Sequence, residues 1–390
     1  MLKKILIAIG SLLFLLLTLF FFILPWQLDR QLNRYSSPRG YRPSARAAAL
    51  YKKLFIADMH SDSLLWDRDL TVRHAYGHVD VPRLIEGNVS LQTFSIVSKV
   101  PFGLNMEKNP TDAGDLITLL AVAELWPPRT WTSLKERALY QAGRLRRFSE
   151  RSGGKLAIIT SLRDLDRYRA LREKNPGMTA GLLSIEGAQV LEGDLKNIET
   201  LYRAGFRMMS HAHFYDNDMG GSAHGARKGG LSEKGKQMIA LMERKGMILD
   251  LAHASPASID DILAVATRPV VVSHTGVRGA CDSIRNISDR HLSAIARTGG
   301  VIGIAYFPVA VCGSDIRHIV ASIRHAVNVA GVEHVGLGSD FDGCVTTPFD
   351  TAGLIRLVDA LLSAGFTGEQ IGLIMGGNTL RVLRQVLPKN

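Results

Sequence analysis

The hydrophobic pattern of the chain opens with one long apolar run. Ile5 to Leu24 contains twenty residues without a charge. At about 1.5 Å rise per residue, a helix of that length spans a hydrocarbon core of roughly 30 Å. Pro25 and Trp26 follow the run, and an indole is typical of the membrane interface. The pattern predicts an N-terminal membrane-spanning helix.

From Leu54 onward, short β-branched or apolar runs end in polar residues and alternate with stretches of helical periodicity. Eight such runs are Phe55–His60, Leu91–Ser95, Leu182–Glu186, Met208–His213, Ile248–His253, Val270–His274, Ile302–Tyr306 and Val335–Asp340. Between two of them, a helix is expected to begin at Ser232 and to stop near Gly246. Eight strand–helix units in roughly 330 residues predict an α/β fold, a (β/α)8 TIM barrel.

The pattern also suggests how the chain is divided. We predict an N-terminal membrane anchor over 1–28, a basic linker over 29–50 that is extended from Ser36 to Pro43, and a barrel domain over 51–388. A ninth run, Leu156–Thr160, is placed outside the barrel because nothing chemical follows it. It belongs to an insertion at about 100–178, which we interpret as extra outer helices, with a lid or a dimer contact as alternatives.

Charge changes the picture only near the N-terminus. The formal net charge is +11, but residues 1–53 hold nine basic residues and one acidic residue. The rest of the chain is nearly balanced, with 38 basic and 35 acidic residues. Basic clusters beside a membrane are attracted to anionic headgroups. We therefore expect a lipid bilayer as a partner and no nucleic acid.

The topology of the anchor rests on its flanking residues. Lys3 and Lys4 favour a cytoplasmic N-terminus, whereas the arginines just past the run favour the reverse. We expect an exported catalytic domain because the leading segment is so short. No small-x-small cleavage site follows, which favours an uncleaved single-pass anchor over the alternative, a cleaved signal peptide. The three cysteines form no C-x-x-C and no disulfide framework.

Ionisable residues collect where the predicted strands end, the place where barrels of this kind carry their active sites. They are His60, Asp62, Glu186, His211, His253, His274 and Asp340. Singly, each is more often a hydrogen-bonded loop residue. Together they are costly to bury unless they neutralise one another. A pair of divalent cations is the natural solution, since imidazole and carboxylate groups are zinc ligands.

The motifs around these residues resemble those of the membrane (renal) dipeptidase family, dizinc metallopeptidases of the amidohydrolase superfamily. The matching stretches are DMHSD (Asp58–Asp62), SIEG (Ser184–Gly187), DLAHAS (Asp250–Ser255), SH (Ser273–His274), SIRN (Ser283–Asn286) and GSDFDG (Gly338–Gly343). The resemblance runs from about Tyr51 to Leu387. It implies a barrel of the metal-dependent hydrolase type. It also implies a membrane-anchored zinc metallodipeptidase, which hydrolyses dipeptides through a hydroxide bridging two zinc ions.

The resemblance further implies a metal set of five residues. His60 and Asp62 would bind one zinc ion, His253 and His274 the other, and Glu186 would bridge both.

Other roles follow from the same resemblance. Asp340 would be the general acid and base, and His211 would stabilise the oxyanion over the substrate carbonyl. Arg285 and Tyr306 would hold the substrate carboxylate. His213 and His224, in the loop after His211, are not expected to be ligands, and Asp342 is expected to cap the turn at Gly343.

Two other functions stay open at this point. The same rim chemistry would serve a dizinc amidohydrolase acting on N-acyl amino acids or lactones, although Arg285 favours a substrate with a free carboxylate. A non-catalytic anchored barrel that binds a ligand is the second alternative, but it has no need of both metals and Asp340. A homodimer is left open.

Overall fold

The computed structural model describes residues 1–36 and 40–390. Eight parallel strands are labelled here β1 (Ile56–Asp58), β2 (Val89–Val97), β3 (Thr179–Glu186), β4 (Phe206–Ser210), β5 (Ile248–Asp250), β6 (Val271–Thr275), β7 (Val301–Ile304) and β8 (Val335–Leu337). Each strand pairs with the next in the chain, and β8 pairs with β1. The ring is closed, which confirms the predicted barrel.

Helices surround this barrel. The α-helices from Ala45 onward are Ala45–Tyr51, Val81–Glu86, Leu116–Ala123, Arg129–Thr132, Leu134–Arg151, Leu162–Lys174, Asn197–Arg203, Glu233–Lys245, Pro256–Val265, Asp289–Arg297, Pro308–Val311, Ile316–Ala330, Ile355–Ser363, Gly368–Gly372 and Asn378–Val386. The helix Glu233–Lys245 shows how the sequence sets their ends. The Ser232 side chain accepts a hydrogen bond from the Gly235 amide, and Gly246 closes the helix in the left-handed region at φ 69°.

The barrel interior is a packed core. Alternate residues of the strands point inward, and Leu182, Met208, Ile248 and Val271 line an internal cavity of only about 10 Å³. Two residues further along three of these strands lie Ser210, Asp250 and Ser273, which are buried. The apolar layer therefore gives way to polar groups toward the carboxyl end of the barrel.

The insertion between β2 and β3 carries helices and one additional strand. Leu156–Ile158 pairs in parallel with the first residues of β3, outside the closed ring, as predicted. The helices Leu116–Ala123, Arg129–Thr132, Leu134–Arg151 and Leu162–Lys174 complete it. These are the outer helices that the sequence predicted.

The N-terminal segment forms one long helix from Leu2 to Leu32, of the length and composition that can cross a membrane. A π-helical stretch, Leu19–Ile23, joins its two α-helical parts, Leu2–Thr18 and Leu24–Leu32. The apolar part from Ile5 to Leu17 is exposed throughout. We call this element the anchor helix.

The predicted linker needs a correction, because its ends pack against the barrel domain. Asp29 is buried and pairs with the Arg68 guanidinium at 2.7 Å. Arg34 and Tyr35 pair in parallel with Thr346 and Thr347, and Ala45–Tyr51 is a helix. Residues 37–39, inside the predicted extended stretch, lie outside the described residues. The proposed domain bounds themselves remain a prediction.

Candidate active site

Five of the predicted site residues converge at the carboxyl mouth of the barrel. His60 and Asp62 directly follow β1, Glu186 ends β3, His253 follows β5, and His274 lies in β6. Each of the five is at most 5% exposed. Neighbouring parallel strands end at the same rim, so residues more than 200 positions apart in the chain become neighbours.

Glu186 lies at the centre of this cluster. Its Oε1 atom is 2.9 Å from Nε2 of His253, 3.3 Å from Nε2 of His274 and 3.8 Å from Nε2 of His60. The His60 Nε2 atom is also 3.4 Å from Oδ1 of Asp62. One carboxylate thus faces three imidazoles from three different strands.

Several atoms of the cluster are buried without a hydrogen-bond partner. Within residues 1–36 and 40–390, no partner is found for His60 Nε2, Asp62 Oδ1 or Glu186 Oε1. These atoms face one another, and His60, Asp62 and Glu186 form a group whose ligand atoms lie within 4.8 Å of each other. Buried polar atoms without partners are costly. A metal ion between them would satisfy all three, so the residues fit a metal site.

The electrostatics of the cluster favour the same interpretation. Burial, reinforced by Asp62, raises the pKa of Glu186 well above its usual range. Burial also lowers the pKa of His253 and His274, with Arg285 adding to the effect. His60 differs: although burial opposes it, Asp62 and Glu186 raise its pKa to about 10. A cation among these groups would favour the ionised carboxylates and neutral imidazoles, the forms that bind metal.

Asp340 lies at the edge of the cluster. Its Oδ1 atom is 3.8 Å from Nε2 of His60, and His60, His274 and Asp340 form a second group of candidate ligands. Burial raises the pKa of Asp340 to about 7, although His60 works in the opposite direction. A carboxyl group with that pKa can both accept and donate a proton near neutrality.

Backbone strain is concentrated at the same rim. His253 and Asp340 both adopt φ 62°, in the left-handed region that L-residues other than Asn and Asp seldom occupy. Strained backbone of this kind persists where the surrounding structure holds it, commonly at functional sites.

Buried carboxylates inside the strands fix the loops that carry the site. Asp58 accepts hydrogen bonds from the amide of Ser339 at 2.9 Å and the amide of His60 at 3.3 Å. Asp250 accepts from the Ser273 amide at 2.8 Å. Each of these carboxylates ties its own strand to a neighbouring strand end.

Asp342 has a structural role, as predicted, but through more contacts than a turn cap. Its carboxylate lies 2.8 Å from the Arg68 guanidinium and accepts hydrogen bonds from Ser63 and the His78 amide. Because Arg68 also pairs with Asp29, this network connects the last turn of the anchor helix to the loop that carries Asp340.

Arg285 reaches the cluster from the loop after β6. Its guanidinium donates a hydrogen bond to the His274 carbonyl at 2.8 Å and lies 3.4 Å from Nε2 of His253. The side chain is buried, and burial lowers the pKa of Arg285, while Asp340 and Glu186 favour its charge. The contact with a substrate carboxylate stays a prediction.

The structure brings His213, rather than His211, to the cluster, which corrects the sequence prediction. The His213 Nε2 atom is 3.2 Å from Oε2 of Glu186, and Glu186, His213 and His253 form a third group of candidate ligands. His211 instead places its Nε2 3.0 Å from the Gly221 carbonyl oxygen. Strand alternation does not separate the two histidines, because both are odd-numbered and both follow the last strand residue, Ser210.

His224 was expected to lie outside the ligand set, and its ring is close to the site without joining a candidate group of ligands. Its Nδ1 atom lies 2.8 Å from the Met106 carbonyl oxygen, and its ring centroid is 5.3 Å from that of His253.

The structure gives the Tyr306 ring a core position, and its predicted contact with the substrate carboxylate stays a prediction. The side chain is fully buried, and its ring packs against Phe341 and Phe349 at 5.6 and 5.4 Å between centroids. We assign Tyr306 to the core.

Cys281 and Cys312 form a disulfide, so the expectation of no disulfide framework was wrong. The two cysteines are 31 residues apart and follow neighbouring strands, β6 and β7, whose loops meet above the barrel. Asn286 bridges the same two loops by donating to the carbonyls of Cys281 and Ala310. Together these contacts fix the loop that carries Arg285.

Comparisons with known proteins lead to one family of dipeptidases. A model of the membrane dipeptidase family (peptidase family M19) matches residues 44–388. Dipeptidase tcpJ of Claviceps purpurea is 28% identical over 330 residues, which cover 82% of this chain and 72% of that protein.

Solved structures share the fold at lower identity. The probable dipeptidase PvdM of Pseudomonas aeruginosa gives a TM-score of 0.75 at 19% identity, over 88% of this chain and 98% of that one. A metallopeptidase of Rhodobacter sphaeroides, liganded with a phosphinate mimic of the dipeptide L-Ala-D-Ala, gives 0.69 at 22% identity, over 85% and 99%.

Proposed function

Because this chain belongs to the membrane dipeptidase family, peptidase family M19, we propose that it is a membrane-anchored dipeptidase that works with two zinc ions. The observation that carries the proposal is the position of Glu186, whose Oε1 lies 3.8 Å from Nε2 of His60 on one side and 2.9 Å from Nε2 of His253 on the other. A carboxylate that lies between two pairs of ligand groups, His60 with Asp62 and His253 with His274, is suited to bridging two metal ions.

The proposed metal ligands are His60, Asp62, Glu186, His253 and His274. Two zinc ions held by these residues would polarise the substrate carbonyl and lower the pKa of a water molecule toward neutrality. The imidazoles that favour neutrality and the carboxylates with atoms left unpartnered suit a cationic centre.

The remaining site residues would handle protons and orient the substrate. Asp340, with its pKa near 7, would take a proton from the attacking water and pass it to the leaving amine. His213, which burial keeps neutral, would donate an N–H to the developing oxyanion. We give this role to His213 in place of His211, because His213 lies beside Glu186.

Arg285 would set the class of substrate. A buried guanidinium is a planar donor that matches a carboxylate with two hydrogen bonds, so it would favour short peptides with a free C-terminus. The solved relative that carries a mimic of L-Ala-D-Ala supports a dipeptide substrate for this chain as well.

Two features support an anchored domain on the extracytoplasmic side. The anchor helix is continuous from Leu2 to Leu32, where Asp29 is already docked on the barrel, so its apolar part leads directly into the folded domain. The Cys281–Cys312 disulfide suits an oxidising compartment.

The test is a hydrolysis panel on the full chain in detergent or vesicles, with zinc content measured in parallel. The panel contains L,L- and L,D-dipeptides, N-acyl amino acids and lactones. We expect about two zinc ions per chain and activity on dipeptides. Glu186→Ala and His253→Ala should lose both metal and turnover.

A matched control is His291→Ala, which removes another buried histidine. His291 lies on the outer helix Asp289–Arg297 and pairs with Asp260 of the helix Pro256–Val265. Its replacement should leave metal content and turnover unchanged. Full activity in Glu186→Ala, or turnover of lactones or N-acyl amino acids alone, would overturn the dipeptidase proposal.

A further inference from the structure

Four apolar side chains of the insertion are exposed, and together we call them the apolar patch. They are Phe102, Leu116, Leu119 and Leu125, exposed by 48, 40, 49 and 63%. The Phe102 amide donates to the Gly114 carbonyl, which brings that ring close to the start of the helix Leu116–Ala123. An apolar surface of this kind marks an interaction site.

The backbone conformation of the patch directs its side chains outward. Leu116 and Leu119 share one face of their helix, while Ile117, Leu120 and Ala121 bury the other. Leu125 is held at φ 55°, in the left-handed region, with its side chain outward. In water, Leu125 is unfavourable for two reasons: its backbone is strained and its apolar side chain is exposed.

The patch continues the apolar surface of the anchor helix. The helix Leu116–Ala123 contacts both the Leu19–Ile23 stretch and the Leu24–Leu32 part of the anchor. Trp26, with the Arg30 guanidinium 5.4 Å from its ring, follows directly. Aromatic and basic residues are typical of the headgroup level. In the proposed anchored state, the patch would lie where the anchor helix leaves the hydrocarbon core.

The same insertion forms a wall of the catalytic mouth. Asn109 donates from its backbone amide to the His224 carbonyl at 2.8 Å and from its side chain to the Phe214 carbonyl at 3.0 Å. The Met106 carbonyl contacts the His224 ring. A few residues therefore separate the apolar patch from the loop that carries His213.

We propose that the apolar patch enters the lipid interface beside the anchor helix and holds the catalytic mouth against the bilayer surface. The inference rests on the proposed function, in which the anchor spans the membrane. The partner is lipid because the patch is continuous with the apolar span. Dipeptides would then enter the site from the headgroup layer.

The test uses the full chain in phosphatidylcholine–phosphatidylglycerol vesicles with lipids brominated near the headgroup or deep in the acyl chain. Bromine quenches tryptophan emission on contact. Leu119→Trp adds a reporter on the patch. Leu171→Trp is the matched control, since Leu171 is 45% exposed on the helix Leu162–Lys174, whose Tyr168 and Arg172 contact the start of β2 at the opposite end of the barrel. Trp26→Phe removes the tryptophan of the anchor helix, so the difference in emission between this variant and the parent is the emission of Trp26.

We expect the emission added by Leu119→Trp to be lost with headgroup-proximal bromine, as Trp26 emission is, while the emission added by Leu171→Trp is unchanged. Dipeptide hydrolysis by each variant shows that it is folded, and Leu116→Trp replaces Leu119→Trp if that variant does not fold.

The outcomes separate the two proposals. If brominated lipid quenches Trp26 but not the tryptophan added by Leu119→Trp, the proposal that the patch enters lipid is overturned and the proposal of a membrane anchor stands. If Trp26 is not quenched either, both are overturned. A patch reporter shielded from both brominated lipid and aqueous acrylamide would mean that a protein surface, such as a second copy of this chain, covers the patch, and the lipid assignment would be wrong.

Discussion

The two histidines after β4 give the sharpest test of the proposed mechanism. His213→Ala removes an imidazole that lies 3.2 Å from Glu186, whereas His211→Ala removes one that is bonded to the Gly221 carbonyl. Both side chains are buried, so burial alone cannot explain a difference between the variants. The first should be a defect of catalysis and the second a defect of stability.

The magnitudes follow from these contacts. Loss of one preorganised donor to an oxyanion typically lowers kcat by about 10²–10³-fold, or roughly 3–4 kcal/mol of transition-state stabilisation. Loss of the His211 contact removes one hydrogen bond from the Gly221 carbonyl, which still accepts from Ser255 and Ser258, so the lost bond costs about 0.5–1.5 kcal/mol of unfolding free energy. Turnover of folded His211→Ala should stay within about tenfold of the parent, since the imidazole lies outside the cluster.

Steady-state kinetics on a dipeptide, denaturant titration and zinc analysis of both variants provide the measurement. We expect His213→Ala to keep its zinc and its KM while kcat falls. If His213→Ala instead loses zinc, the imidazole is a metal ligand. If His211→Ala shows the larger fall in kcat at unchanged stability, the oxyanion role returns to His211 and our interpretation of the geometry is refuted.

Three further predictions concern separate parts of the molecule. Asp340→Asn should keep both metals and lose turnover, because it removes proton transfer rather than coordination; zinc analysis beside kinetics tests this, and lost zinc would contradict it. Asp29→Ala should lower the free energy of unfolding by about 1.5–3 kcal/mol, because it removes one charged hydrogen bond to Arg68 while Asp342 still pairs with the guanidinium; Asp166→Ala, at an exposed pair, should cost less than about 1 kcal/mol in the same denaturant titration. Burial raises the pKa of Glu124 to about 8 from 4.5, so its contribution to stability is full below pH 4.5 and is lost as the pH rises through 8. Glu124→Gln should remove that part of the pH dependence. If the unfolding free energies of the variant and the parent change with pH in the same way between pH 4.5 and 8, the raised pKa of Glu124 is contradicted.

The sequence predicted the barrel and the convergence of ionisable residues at its mouth because both depend on local pattern. Apolar runs of strand length ending in His60, Glu186 or Asp340 place polar groups on one rim once the ring closes. Period-2 alternation fails as a guide where a strand ends. The chain leaves β4 at Ser210, and from there sequence spacing could not decide between His211 and His213.

Other features depend on which loops lie side by side in the fold. The spacing of residues along the sequence does not reveal that. The Cys281–Cys312 disulfide joins the loops of two neighbouring strands, and the position of Tyr306 depends on Phe341 and Phe349 packing against it. Asp29 looked like a lone acid in a basic segment, but its partner Arg68 lies 39 residues away. Such contacts require the assembled fold.

The chain of contacts from Asp29 through Arg68 to Asp342 has one more consequence. A domain on a flexible linker can rotate, so its catalytic mouth would face every direction above the lipid. Here the final turn of the anchor helix is held to the domain by buried charges. In the proposed membrane-anchored state, the domain would therefore keep one orientation, and all copies in one bilayer would turn the same side toward the lipid.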